Sequence, residues 1–239
     1  KKVLPWCGRR KMNHRKNIIP FLCNRFDLKG SYLELGLRGA DALFNHVPCK
    51  NKHAVDINCD CTYRMSTDEF FEKLDAGNLD LPSDYKWDII FIDANHLANF
   101  VYTDFVNSLN HLIDGGILLL HDTLPHSYNS QHEFVQNQTA WKAIPFILKH
   151  HPEVHLCSIP EVDGGMGVII KNSTGQRPML SEEFNRFSEY YIMDADRKYS
   201  QNLIEFTQLE EWIENPYYYF NDNPITDLRG FTNVYHKLK

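Results

Sequence analysis

The chain of 239 residues is 43% apolar and 13% aromatic, and it carries a formal net charge of −6. This length suits one substantial hydrophobic core, and no apolar run approaches the roughly 18–20 residues of a membrane-spanning helix. Residues 1–10 lack the apolar segment of a secretory signal, so the sequence predicts neither a membrane span nor a secretory leader.

The charge is unevenly distributed along the chain. Residues 1–26 contain eight Lys or Arg and no acidic residue, whereas the other 17 basic and 31 acidic residues leave −14 on the remainder. Such a basic arm can contact phosphates, although it is more often a solvated helix. The acidic remainder would repel a polyanion, so the composition disfavours a nucleic-acid partner.

The six cysteines lack the density and spacing of a disulfide framework. A reducing, cytoplasmic compartment is therefore predicted. Cys59 and Cys61 are separated by one residue, but no second Cys or His pair follows at zinc-finger spacing. We interpret this pair as a loop and the start of a strand rather than as a zinc site.

The segment Ser31–Phe44, SYLELGLRGADALF, predicts a strand, a tight turn and a helix. Gly36 and Gly39 suit a backbone that turns sharply and approaches a ligand closely, because glycine has no Cβ. The first amides of the following helix can face an anionic or polar group. Such turns also occur as plain strand-to-helix connections, so the turn alone assigns no ligand.

A second predicted strand, His53–Ile57, contains Asp56. An acid at this place suits a ribose diol, because both of its hydroxyls need an acceptor. Cys61–Met65 predicts a third short strand. Ser66 and Glu69 then form a capping box at the start of the next helix.

Two continuous apolar runs, Trp87–Ile92 and Ile117–Leu120, predict strands that a parallel sheet buries on both faces. The first run is followed by Asp93 and, three residues later, by His96. In such sheets ligands bind beyond the carboxyl ends of the strands. The residues predicted at that edge are Glu34, Asp56, Asp93, His121 and Asp122.

The remaining elements complete the predicted fold. A leading helix is expected within residues 10–26, a helix over Ala140–His151, and two closing strands over Val154–Ile159 and Gly167–Ile170. Strands that alternate with helices predict an α/β fold with a doubly wound, mostly parallel sheet. We predict one main domain over residues 1–175 and, over residues 176–239, a helical and aromatic extension packed on it.

Together these segments resemble the class I S-adenosylmethionine (SAM)-dependent methyltransferases, in particular the methyltransferase-domain proteins associated with sugar and polysaccharide modification. The resemblance covers Ser31–Lys171 and rests on the segments YLELGLRGAD, HAVDI, YRMSTDEFF, WDIIFIDANH, LIDGGILLLHDTLP, TAWKAI and GGMGVII. It implies a Rossmann-like, seven-stranded sheet whose last two strands form an antiparallel hairpin. Ala40 departs from the family, where many members have a third glycine. An NAD-type dinucleotide fold fits less well, because its fingerprint needs a glycine nearer position 41 or 42.

The resemblance also implies a set of cofactor contacts. The methionine part of SAM would face Glu34, Gly36, Arg38 and Gly39, and Asp56 would hold the ribose. Ser66 and Thr67 would flank the adenine, and Asp93 would lie close to the sulfonium.

A hydroxyl acceptor needs a base, and histidine is the usual choice near neutral pH. We therefore predict His96, His121 and Asp122 as catalytic residues. Related sugar and catechol enzymes bind a divalent cation through acids after the fourth and fifth strands. Asp93 and Asp122 match those two positions, so Mg²⁺ or Mn²⁺ is a candidate second cofactor.

The leading prediction is a SAM-dependent O-methyltransferase that acts on a sugar, nucleotide-sugar or glycan hydroxyl. Two alternatives stay open, namely a nucleic-acid methyltransferase, prompted by the basic arm, and a SAM-binding partner module without catalysis. The sequence also leaves a homo-oligomer open.

Overall fold

The computed structural model of the chain describes residues 15–39, 43–124, 138–151, 153–159, 162, 164–171, 209 and 213. These residues form one six-stranded sheet with the strand order β2-β1-β3-β4-β6-β5. The strands are β1 Ser31–Leu35, β2 Asn51–Val55, β3 Trp87–Ile92, β4 Leu112–His121, β5 Val154–Ile159 and β6 Met166–Lys171.

The sheet is mixed, as the sequence predicts. β2, β1, β3 and β4 are parallel neighbours, whereas β6 runs antiparallel to both β4 and β5. The predicted closing hairpin is therefore confirmed. β6 lies between β4 and β5, so the last strand of the hairpin is inside the sheet and β5 forms the edge.

Helices cover both faces of the sheet, because side chains of a buried strand alternate between two cores. In β3, Ile90 and Ile92 join the larger cluster, whereas Ile89 and Phe91 join the other. The helices are α1 Arg15–Arg25, α2 Thr67–Asp75, α3 Ala98–Asn110 and α4 Ala143–His150. Buried residues of α2, α3 and α4 pack in the larger cluster, and those of α1 pack in the other.

One local prediction is wrong. The predicted third strand, Cys61–Met65, is reduced to one parallel bridge between Val55 and Tyr63. Asp56 accepts hydrogen bonds from the following loop, so only a short return segment reaches the edge of β2 before α2 begins. The described residues consequently form six strands, and the predicted seven are not reached.

The start of the helix predicted after the glycine turn falls on residues that the structure does not describe. Within the described residues, the segment contains one 3₁₀ turn, Phe44–His46. Residues 40–42 are not among the described residues.

The C-terminal extension lies almost entirely outside the described residues. Leu209 is fully buried in the cluster that contains α1, and Ile213 packs against that cluster. The boundary between residues 175 and 176 stays a prediction. Among the helices that the structure describes, none combines the length and apolar character needed to cross a membrane.

Candidate active site

Gly36 lies where the carboxyl ends of the parallel strands β1, β2 and β3 are close together. It follows β1 with a φ of +89°, and its N–H donates to the Val55 carbonyl at the end of β2 at 2.8 Å. A Cβ on Gly36 would lie 2.5 Å from both Cα and N of Ala94, just after β3. The turn therefore requires glycine for its backbone conformation and for the close approach.

Two adjoining cavities open at this edge of the sheet, with volumes of about 320 and 480 Å³. Gly36, Asp56, Ala94 and His96 line both of them. The smaller cavity is completed by Arg15, Leu37, Arg38, Asp93, His121 and Asp122. The larger cavity is completed by Val55, Ile57, Asn58, Met65, Ser66, Thr67, Asp68, Asn95, Phe100 and Gln138.

Asp56 separates the two cavities and is held by backbone amides. Its Oδ2 accepts from Leu37 N at 2.9 Å, and its Oδ1 accepts from Asn58 N at 2.6 Å and Cys59 N at 2.8 Å. Burial alone would raise the pKa of this carboxyl, but the three N–H donors lower it below its ordinary value. Asp56 is therefore ionised and oriented near neutral pH, as a ribose acceptor requires.

Asp93, His96, His121 and Asp122 form a compact polar cluster in the smaller cavity. Oδ1 of Asp93 is 3.4 Å from His96 Nε2 and 3.2 Å from His121 Nδ1. Oδ2 of Asp122 is 3.3 Å from His96 Nε2 and 3.2 Å from His121 Nδ1. Each carboxylate thus contacts both imidazoles. The predicted catalytic and metal residues are all brought together.

The surroundings keep Asp93 ionised. Burial alone would raise the pKa of Asp93, but contacts with His121 and His96 and the charge of Arg15 hold it well below its ordinary value. Arg15 Nη1 lies 2.8 Å from Oδ2 of Asp93. Asp122 adopts a φ of +56°, an uncommon conformation for a residue other than glycine, and its side chain is 6% exposed.

The cluster fits a divalent cation. One ligand atom each from Asp93, His96 and Asp122 lies within 4.8 Å of the other two. Carboxylate oxygens are the ligands that Mg²⁺ prefers, and an imidazole is tolerated better by Mn²⁺. Thr123 is fully buried and lines neither cavity, so its side chain is not part of this ligand set.

The other predicted cofactor residues occupy different places. Arg38 is exposed at the smaller cavity, and Thr67 lines the larger one. Ser66 lines the larger cavity and also caps α2, because its Oγ accepts from Glu69 N at 3.2 Å. Gly39 has a φ of +125° and lines neither cavity.

Glu34, like Gly39, is a predicted site residue that the structure places outside both cavities. It is 3% exposed, and its Oε2 accepts from the Tyr32 hydroxyl at 2.8 Å. Burial raises the pKa of Glu34 to about 7, against the opposing effect of this hydrogen bond.

Among the lining residues that the sequence did not predict, Arg15, Ile57 and Phe100 bear most on the chemistry of the cavities. Arg15 was one of eight basic residues in the arm, and nothing local distinguishes it. Ile57 and Phe100 are the large apolar side chains that the described structure leaves exposed, at 61% and 37%, and both line the larger cavity. The sequence could have indicated that Phe100 is exposed, because Phe100 does not lie on the apolar helix face formed by Val101 and Phe105.

The larger cavity can therefore accept a flat apolar group beside Ile57 and Phe100, near the ionised Asp56. A purine and a ribose diol have this combination of surfaces. The smaller cavity offers carboxylates and imidazoles for a polar group, and Ala94 and Gly36 connect the two spaces.

Residues 39–123 match a protein family described as a methyltransferase domain. The match supports the predicted enzyme class, a methyltransferase, over this part of the chain. It begins at Gly39, after Gly36, and covers β2, β3 and β4 together with Asp56, Asp93, His96 and Asp122, which follow these strands. No curated protein sequence matches the chain.

Solved structures of low sequence identity resemble the chain. The MycE methyltransferase of the mycinamycin pathway, in complex with Mg, SAH (S-adenosylhomocysteine) and mycinamycin VI, is 13% identical with a TM-score of 0.44. The chain spans about half of that protein, since the similarity covers 69% of this chain and 52% of MycE. An O-methyltransferase from Bacillus cereus with SAH is 12% identical, with 70% and 83% covered and a TM-score of 0.48. TomG from Streptomyces achromogenes with SAM is 14% identical, with 71% and 84% covered and a TM-score of 0.47.

Proposed function

We propose that this protein transfers a methyl group from SAM to a hydroxyl of a sugar or glycan. The observation that carries the proposal is the position of His96, whose side chain lines both cavities beside two carboxylates. A base at that junction reaches an acceptor in the smaller cavity, next to the cofactor in the larger one.

The larger cavity suits the nucleoside part of the cofactor. Asp56 would accept hydrogen bonds from the ribose hydroxyls, while Ile57 and Phe100 would contact the two faces of the adenine. Gly36, Arg38 and Gly39 are proposed for the methionine part, which would extend from the larger cavity into the smaller one, since Arg38 lines only the smaller cavity. For Glu34 we propose a structural role in β1, since its carboxyl accepts a hydrogen bond from Tyr32 and lines neither cavity.

The smaller cavity favours a polar acceptor. Of its lining residues, only Leu37 and Ala94 have apolar side chains, and the others apart from Gly36 are charged or imidazole groups. A polyhydroxylated ring offers hydrogen-bond donors and acceptors to such walls, whereas a flat apolar acceptor would remove water from these charged groups without offering them a hydrogen bond. The volume of about 320 Å³ is enough for one small ring.

Proton removal is assigned to His96. Bound SAM supplies an already activated methyl group, so the chain must chiefly align the acceptor and take its proton. The carboxylates of Asp93 and Asp122, 3.4 and 3.3 Å from Nε2, stabilise the positive charge that the ring gains. His121 has a side chain that is only 4% exposed, so we assign it to orienting both carboxylates.

A divalent cation is proposed between Asp93 and Asp122. When bound, such a cation lowers the pKa of a coordinated hydroxyl. His96 could also ligate it, but the position of His96 across both cavities favours the role of base. Activity that is lost with EDTA and restored by Mg²⁺ or Mn²⁺ supports the cation, and unchanged activity rejects it.

The test of the proposal is SAH formation with a panel of sugars, nucleotide sugars and glycans, followed by mass spectrometry of the acceptor. His96→Asn should lower kcat by roughly 10²–10⁴-fold, the usual contribution of a general base. SAH affinity by calorimetry should stay close to that of the wild type. The matched control is His46→Asn, since His46 is exposed and lines neither cavity.

Three results would reject the proposal. Methylation confined to RNA or protein removes the sugar acceptor, and SAH binding without any product identifies a non-catalytic module. A fully active His96→Asn variant removes the assigned base.

A further inference from the structure

Arg15 is the one residue of α1 that reaches the proposed active site within the part of the chain that the structure describes. It is 8% exposed, and its Nη1 donates to Oδ2 of Asp93 at 2.8 Å, across 78 residues of sequence. The same nitrogen lies 3.4 Å from Nδ1 and 3.3 Å from Nε2 of His121. The guanidinium therefore enters the carboxylate–imidazole cluster from the opposite side of the sheet edge to α3.

The two carboxylate oxygens of Asp93 have different partners. Oδ2 is bound by Arg15, whereas Oδ1 faces His96 and His121. Asp93 and Asp122 contribute two negative charges to a half-enclosed cavity, and Arg15 contributes one positive charge against them. The guanidinium is thus a permanent counter-charge at the place where the proposed cation would bind.

We propose that Arg15 competes with a divalent cation for Asp93, so that the docking of α1 sets the cation affinity of the active site. This inference rests on the cation site of the proposed function. A cation bound to Oδ1 of Asp93 would lie a few ångströms from the guanidinium, and like charges at that separation repel strongly where water is partly excluded. The cation and the docked Arg15 therefore weaken each other, and this coupling is reciprocal.

The fold permits a clean test, because α1 does not depend on Arg15 for its packing. Ile18, Ile19, Leu22 and Cys23 of α1 are all fully buried in the second core cluster. These side chains hold the helix on the sheet when the guanidinium is removed. Arg15→Gln should therefore fold, with a neutral amide in place of the charge.

The first experiment measures Mn²⁺ affinity by calorimetry or electron paramagnetic resonance on the full chain saturated with SAH. Arg15→Gln should bind Mn²⁺ at least about tenfold more tightly than the wild type, because a nearby unit charge is removed. Arg15→Lys keeps the charge and should stay within about threefold of the wild type. Arg25→Gln is the matched control, since it removes the same charge about 15 Å further along the same helix, at 1.5 Å per residue, and it should also leave the affinity unchanged.

The second experiment needs no variant. Addition of Mn²⁺ to the SAH-bound wild type should increase amide hydrogen exchange in residues 15–25 at least about threefold, because the cation weakens the Arg15–Asp93 contact. In Arg15→Gln the same addition should leave exchange in α1 unchanged.

The inference is overturned if Arg15→Gln binds Mn²⁺ with equal or lower affinity, or if neither protein binds it. Unchanged exchange in the Mn²⁺-loaded wild type would overturn it as well. The proposed acceptor fails separately, since the absence of sugar methylation would leave both Mn²⁺ measurements interpretable.

Discussion

The turn at Gly36 offers a sharp test of how the site is built, because two physical costs can be separated there. In Gly36→Ala, a Cβ would have to adopt the φ of +89° and would lie 2.5 Å from two backbone atoms of Ala94. A positive φ costs an L-residue about 1–2 kcal/mol. Overpacking against backbone that cannot move freely adds about 1–3 kcal/mol. The variant should therefore lose about 2–5 kcal/mol of unfolding free energy.

Gly77→Ala provides the matched control. Gly77 has a φ of +68° after α2, but an added Cβ there would meet nothing within 4 Å. This variant should pay the conformational cost alone, about 1–2 kcal/mol. The difference between the two variants then measures the close approach of β1 and β3.

The assay is urea unfolding followed by circular dichroism, with SAH affinity measured by calorimetry. Gly36→Ala should also lose SAH binding, because Gly36 lines both cavities and the clash displaces the backbone next to Asp93. Gly77→Ala should keep it. Equal destabilisation of the two variants, with SAH binding intact in Gly36→Ala, would refute the reasoning.

Three further predictions concern single side chains. Burial raises the pKa of Glu34 from its ordinary value near 4.5 to about 7, so the folded state keeps a proton that the unfolded chain has lost. Wild-type stability should fall by about 3 kcal/mol as pH rises across that window, and Glu34→Gln should remove this part of the pH dependence in urea unfolding at each pH. Asp56→Ala should lower SAH affinity at least about tenfold in calorimetry, because the ribose acceptor is lost and three backbone N–H groups lose their partner; unchanged affinity would contradict the assignment. Ser66→Ala should cost about 1 kcal/mol of stability through the lost cap of α2, and a cost near zero would show that the Glu69 N contact contributes little.

Local pattern was sufficient for much of the fold. The strand Trp87–Ile92 was predicted with its observed bounds, because a continuous apolar run between polar residues leaves few alternatives to a doubly buried strand. The same reasoning located Asp93 and Asp122 after strand ends, and parallel pairing then brings such residues to one edge. Asp56 was predicted within the strand His53–Ile57, but β2 ends at Val55 and Asp56 follows it. That Asp56, Asp93, His96 and Asp122 lie at one edge of the sheet followed from the alternation of strands and helices.

The sequence pattern led to a wrong prediction for one short segment. Cys61–Met65 has the composition of a strand, yet only Tyr63 pairs, because the loop tied to Asp56 leaves little chain before the cap at Ser66. The tendency to form a strand is weak over five residues, so the neighbouring hydrogen bonds decided the outcome.

What the sequence by itself determined is the location of the six strands that form the sheet and the chemistry near the carboxyl ends of the parallel ones, since both follow from residue periodicity and chain direction. Tertiary structure alone decided that Arg15 reaches Asp93 and that Glu34 turns to Tyr32 rather than to the cavity. It also decided that Ile57 and Phe100 face the same space. Arg15 and Asp93, and likewise Ile57 and Phe100, are distant in sequence, whereas Tyr32 and Glu34 are two residues apart on the same face of β1. The surroundings of that face depend on which core forms against it. No local pattern carries that information.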